Sequence, residues 1–232
     1  MKDLQELIAN VIVKALEQDF LNNKYILELT TTNCFKDLKS DTINTLLDKE
    51  FSSDGCFVHK FKRRCWQGIV LIDLNSKALV SITSTMNLKR VSKDKSRKVP
   101  HYMQTFINSL NKHIQSHNQL SFGFFNTFDE ETYDRDFNNI FSKIDIDLKD
   151  FTYYVVAYDY KFNKVTGINW YLLGSDFYIE EKESLMKYIK PDVLGLTSLE
   201  NETDDTNTNS EGSEPNEGIK LGLKKKKSKK HS

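Results

Sequence analysis

The chain has only three cysteines, three prolines and nine glycines in 232 residues. Cys34, Cys56 and Cys65 are too few, and odd in number, for a disulfide framework. A reducing compartment, by default the cytoplasm, is therefore expected. No glycines fall at the spacing of a P-loop or a dinucleotide fingerprint, and there is no G-x-S-x-G elbow. No run of about 18 apolar residues exists, so no transmembrane helix is expected. The first twenty residues, MKDLQELIANVIVKALEQDF, lack the apolar centre and small-residue cleavage site of a signal peptide. Lipidation motifs are missing too. What remains is a chain long enough for one large domain or two small ones, with 38% hydrophobic and 28% charged residues.

Net charge is also absent, because 33 Lys and Arg balance 33 Asp and Glu. That zero conceals a strong asymmetry. Residues 56–102 hold 11 basic residues against 2 acids, while 1–55 and 103–190 are each net −4. Beyond them, Glu200–Glu217 is acidic and Lys224–Lys230 (KKKKSKK) is basic. Residues 196–232 hold too little apolar surface to offset ordering entropy and are expected to form a disordered acidic-then-basic tail. Residues 1–195 are expected to form a single α+β domain.

The stretch Trp66–Thr85, WQGIVLIDLNSKALVSITST, is the most continuous β-type run. Asn75-Ser76 marks a hairpin turn. Ile69 and Leu71 on one side, with Val70, Ile72 and Leu74 on the other, predict a first strand covered on both faces. The second strand places Ala78, Val80 and Ile82 opposite Ser81, Thr83 and Thr85 and is expected to be half covered. Upstream, CFVHKFKRRCW alternates; extended, it puts Val58, Lys60, Lys62, Arg64 and Trp66 on one face. Gly68 would allow a bulge where that strand enters the next. Leu4, Leu7, Ile8, Val11, Ile12, Ala15 and Leu16 predict a helix over 3–20, and Ser40 is a candidate cap for a second. Residues 87–100 read as a basic surface loop, and Pro100 opens a helix with Met103, Phe106, Ile107 and Leu110 buried. A short strand over 119–125, a Thr127/Glu130 capping box, a meander from Tyr153 to Ile179 and a last helix over 181–189 complete the pattern. The fold class is α+β: a mostly antiparallel sheet of five or six strands packed by helices.

Clustered Lys and Arg attract phosphate backbones because binding releases condensed counterions. Lys62, Arg64, Lys89, Arg90, Lys93, Arg97 and Lys98 are the candidate phosphate contacts. Trp66 and Tyr102 are candidates for stacking on unpaired bases. His101 begins a helix, where anions and a neutral imidazole are favoured. Cys56, His59 and Cys65 do not fit zinc, because an extended strand sends Cys56 to the face opposite the other two. A restriction-nuclease-like core would pair a metal-binding acid such as Asp73 with an acid-x-Lys on the next strand. Here that strand carries Ser81, Ile82 and Thr83, and Asp73 fits a turn cap better. No catalytic or metal-binding residue is assigned, and no cofactor is expected.

The Trp66–Thr85 hairpin, the His101-Tyr102 helix start and the Tyr/Trp-rich late meander resemble an uncharacterised bacterial and phage-associated family described as a domain of unknown function. The resemblance covers about residues 55–190 and implies no activity. The residues themselves point to a non-catalytic nucleic-acid-binding or regulatory protein using a basic surface around residues 58–102. The alternatives are an interaction module for an acidic protein partner, in a host–phage or toxin-related setting, and a divergent enzyme.

Overall fold

Among the described residues, seven strands lie side by side in the order in which the chain makes them: β1 (Ser52–Ser53), β2 (Cys56–Arg63), β3 (Trp66–Asp73), β4 (Ala78–Ser84), β5 (Thr152–Lys161), β6 (Lys164–Leu173) and β7 (Ile179–Ser184). All neighbours are antiparallel except β4 and β5, which run parallel. The computed structural model describes residues 1–31, 33–53, 55–94, 96–114 and 128–190. The expected strand at 119–125, Thr127 and the 196–232 tail lie outside the described residues. The architecture is the α+β arrangement the sequence predicts.

A parallel pair cannot be joined by a tight turn and needs a crossover. That crossover carries α4 (Thr85–Lys93), α5 (Tyr102–Leu110) and α6 (Glu130–Phe141) across one face of the sheet. The other face is covered by α1 (Lys2–Lys14) and α3 (Phe35–Glu50), and α2 (Phe20–Leu27) lies between them in the chain. The pleat sends Leu71, Ala78, Val80 and Val156 towards α1 and α3, and Val70, Ile72, Leu79 and Val155 towards α5 and α6. Both alternating sets of β3 are apolar because both faces are covered.

The expected first stripe is buried at Leu4, Ile8, Val11, Ile12, Ala15 and Leu16, while Leu7 stays exposed. The helix continues past Phe20 through a π turn, Ala15–Asp19, into α2. That extra residue per turn aims the buried Glu17 carboxylate at the sheet, where Oε1 accepts from the Val165 backbone N–H at 2.6 Å.

Several local expectations give way to tertiary context. Cys56–Trp66 is not one extended strand. Arg64, at φ 56°, and Cys65 turn the chain back, and Arg63 pairs with Trp66. Trp66 therefore shares a face with Phe61 and Arg63 rather than with Lys60 and Lys62. β4 is interior rather than half covered; its polar residues are satisfied, Ser81 by the Tyr153 hydroxyl and Thr83 by Asn87 Nδ2 at 2.8 Å. The basic loop begins as α4: Ser84 caps it by accepting from Asn87 N, and Val91 anchors it. Helix α3 starts at Phe35, before Ser40, because Phe35 packs edge-on to Phe20 at 6.0 Å. Asp129 caps α6, accepting from Thr132 N at 2.7 Å. The expected last helix is instead the charged edge strand β7 and a short 3₁₀ turn, Met186–Tyr188.

Candidate functional site

An open groove of about 1620 Å³ lies at the end of the sheet where β4 and β5 finish. In sheets with parallel pairs, crossover connections leave such a crevice beyond the carboxyl ends of the strands. One wall is the β2–β3 turn, Lys62 to Gly68, with Pro100 to Tyr102 at the start of α5. Another comes from α2 and α3 through Lys24, Lys36 and Lys39. The start of α4 contributes Asn87 and Arg90, α6 contributes Arg135 and Asp136, and the β5 end contributes Tyr158 to Lys161.

Nine Lys and Arg residues line this groove against four Asp. Among the described residues only one of the nine, Arg63, is in an ion pair. Its guanidinium donates to Asp136 Oδ1 at 2.8 Å and to the Pro100 carbonyl at 2.9 Å. Thr105 donates to the other Asp136 oxygen. This clamp fastens the β2 end to the start of α5 and the middle of α6. Arg90 donates to Asn87 Oδ1 at 2.7 Å, and Lys39 lies 4.5 Å from the Tyr160 ring centroid and 5.2 Å from that of Phe20. Burial, reinforced by the Lys24 charge, lowers the Lys39 pKa from its ordinary value.

His101 ends the extended segment and caps α5. Its Nδ1 accepts from Met103 N at 3.3 Å, while Gln104 Oε1 accepts from His101 N at 2.8 Å. Burial, then the charges of Arg97, Arg63 and Arg90, push the imidazole down to about 3, so it is neutral. Tyr102 is buried and stacks on Trp66, with ring centroids 5.3 Å apart and planes 16° from parallel. Phe61 meets the indole edge-on at 5.7 Å. Gly68 is required beneath it, because a Cβ there would stand 2.3 Å from the Trp66 benzo ring. Trp66 is nevertheless 48% exposed.

Of the ten residues singled out in the sequence, Lys62, Arg64, Trp66, Arg90, His101 and Tyr102 line the groove. Lys89, Lys93, Arg97 and Lys98 do not. Because α4 is a helix, Asn87 and Arg90 turn to the groove and exposed Lys89 does not; Lys93, a turn beyond Arg90, is also outside the lining. Arg97 is engaged by Asp94 at 3.1 Å and Gln104 at 3.4 Å. Tyr102 is the support for Trp66 and leaves stacking to it. Sequence reasoning missed Lys24, Lys36, Lys39, Arg63, Arg135 and Lys161.

The metal candidates do not converge. His59 Nε2 donates to the Ile140 carbonyl at 2.8 Å on the α6 side, whereas Cys56 packs against the opposite core. Among the described residues no three His, Cys, Asp or Glu side chains are grouped to hold a metal. The Asp73 carboxylate accepts from Asn75 N at 3.1 Å and from the Ser76 hydroxyl, as a turn cap does. All three cysteines are free. No described helix is long and apolar enough to cross a membrane.

A family model matches residues 1–232, the whole chain. The chain belongs to DUF5986, a family of unknown function. The kinship expected for residues 55–190 thus extends from end to end. No curated protein and no solved structure matches it.

Proposed function

We propose that this protein binds nucleic acid in the groove, as a non-catalytic binding or regulatory module. The observation that carries the reading is the convergence of nine cations, eight of them outside any ion pair among the described residues, on one concave surface. Such a surface attracts a polyanion, and phosphate contacts release condensed counterions. A surface whose charges were already neutralised by its own carboxylates would have no such pull. The flanking indole and the neutral His101 add contacts that need no charge.

The test is fluorescence anisotropy with single- and double-stranded DNA and RNA, titrated with salt. The expected slope of log affinity against log salt is about −0.7 to −0.9 per phosphate contact. Reversing Arg64 and Arg90 to Glu should weaken binding and flatten that slope. Replacing the tail lysines by Ala, in a separate variant, measures the sequence-independent share of Lys224–Lys230. No binding at low salt, or binding due wholly to that tail, overturns the proposal. A protein partner is favoured by a different feature: Tyr25 and Ile26, beside groove residue Lys24, are 69% and 77% exposed. Co-purification of an acidic protein, lost on the same charge reversal, would support that second reading.

A further inference from the structure

We infer that the ligand presents an unpaired base, which stacks on Trp66: the preferred nucleic acid is single-stranded. This rests on the groove reading above and adds the form of the polymer. Four observations converge. Tyr102 covers one face of the indole, Phe61 meets its edge, Gly68 leaves the space in which it lies, and nearly half of the residue remains open on the groove lining. Three aromatic and backbone neighbours fix the orientation of the ring, so its open part is presented to the groove in one direction. Arg64 and Arg90 belong to the same groove lining, which Lys62 joins from the opposite face of the β2–β3 ribbon. A flat aromatic platform flanked by free cations matches a nucleotide strand: the base offers a π face and the adjoining phosphates offer charge. In a duplex the bases are stacked on one another, and the platform would meet only backbone.

Two tryptophans allow this to be read directly. Trp170 is 4% exposed on the opposite side of the sheet, so quenching by added oligonucleotide reports Trp66. The full chain is titrated with oligothymidylate, with its ribose counterpart, and with a duplex of equal length. Single strands should quench the emission and the duplex should not; the DNA and RNA arms show whether the sugar matters. Trp66→Ala should lower single-strand affinity roughly 5- to 150-fold, the range for losing one stacked base. Duplex affinity, set by the cations and the lysine tail, should stay within about twofold. Gly68→Ala keeps the indole but forces it aside, and should give a smaller loss in the same arm only. It carries the test if Trp66→Ala fails to fold. Equal losses on both polymers, or single-strand binding without quenching, overturn the inference and leave the groove standing. Loss of all binding in the unaltered protein overturns the groove reading instead.

Discussion

Asn111 supplies the sharpest test of how the sheet is held to the crossover. It follows α5, is fully buried, and uses its whole amide: Nδ2 donates to the Tyr153 and Leu173 carbonyls, each at 2.8 Å, and Oδ1 accepts from Tyr153 N at 2.9 Å. The β5–β6 ladder begins one residue away, at Tyr154 opposite Leu172. The side chain therefore takes the place of the next rung and binds α5 to both strands. Asn111→Ala removes three hydrogen bonds worth about 1 kcal/mol each and strands a buried N–H, so a loss of about 3–5 kcal/mol is expected. Asn111→Asp retains the acceptor for Tyr153 N but turns an oxygen towards two carbonyls, and should be at least as damaging. Urea unfolding followed by circular dichroism gives the midpoint and the slope together. With an unchanged slope, a loss below about 1 kcal/mol for the alanine variant would show that water or relaxation replaces the amide, and the rung argument would fail.

Acid stability should report His101. Its folded value of about 3 lies below the ordinary 6.5, so between these values the unfolded chain binds a proton that the folded chain refuses. Stability therefore falls as pH drops through that window, by at most about 1.4 kcal/mol per pH unit for one group. Asparagine also caps helices but does not titrate, so His101→Asn should keep neutral-pH stability and flatten the acid limb of a urea-midpoint profile. An unchanged limb would assign the acid sensitivity elsewhere, His59 being the other histidine that burial lowers. Glu17→Ala leaves the Val165 N–H without its buried acceptor and should cost about 1–3 kcal/mol in the same unfolding assay. A neutral result would mean that the π turn relaxes to an ordinary helix and re-pairs that group.

How much of this was legible beforehand depends on the range over which each signal acts. The Asn75-Ser76 turn is local chemistry, written in an Asp73 that caps it, and it stands where expected. The apolar periodicity of α1 and of α5 likewise names its own buried face. The Arg64-Cys65 turn carries no glycine, asparagine or proline; what bends the chain there is the pairing of Phe61 with Gly68 and Arg63 with Trp66 across it. IEEKES at β7 has helix-forming residues throughout and becomes a strand only because β6 offers an open edge. Helix α4 shows too little apolar content for a periodicity to be seen, since one buried valine and a half-buried Leu88 suffice to dock it.

The groove obeys the same logic in charge. Lys62, Arg64 and Arg90 come from the block that is basic in sequence, and their neighbourhood was readable. Lys24, Lys36, Lys39, Arg135 and Lys161 come from segments that are net acidic, so counting along the chain hides them. They meet because the parallel β4–β5 pair gathers the ends of α2, α3, α6 and β5 around one crevice. Other carboxylates in or near those segments pair away from the groove, Asp48 with Lys60, Glu50 with Lys14 and Asp150 with Lys77, while Asp37, Asp41, Asp136 and Asp159 line it. Two of these pairs consume lysines of the central basic block, Lys60 and Lys77, away from the groove lining. The fold therefore leaves eight of the nine groove cations outside ion pairs among the described residues, against the four Asp of the same lining. A single strand laid across the crevice would touch both sets at once. Lys39→Glu on the far wall should then weaken binding together with Arg64→Glu, and unequal effects of the two would confine the ligand to the tryptophan side.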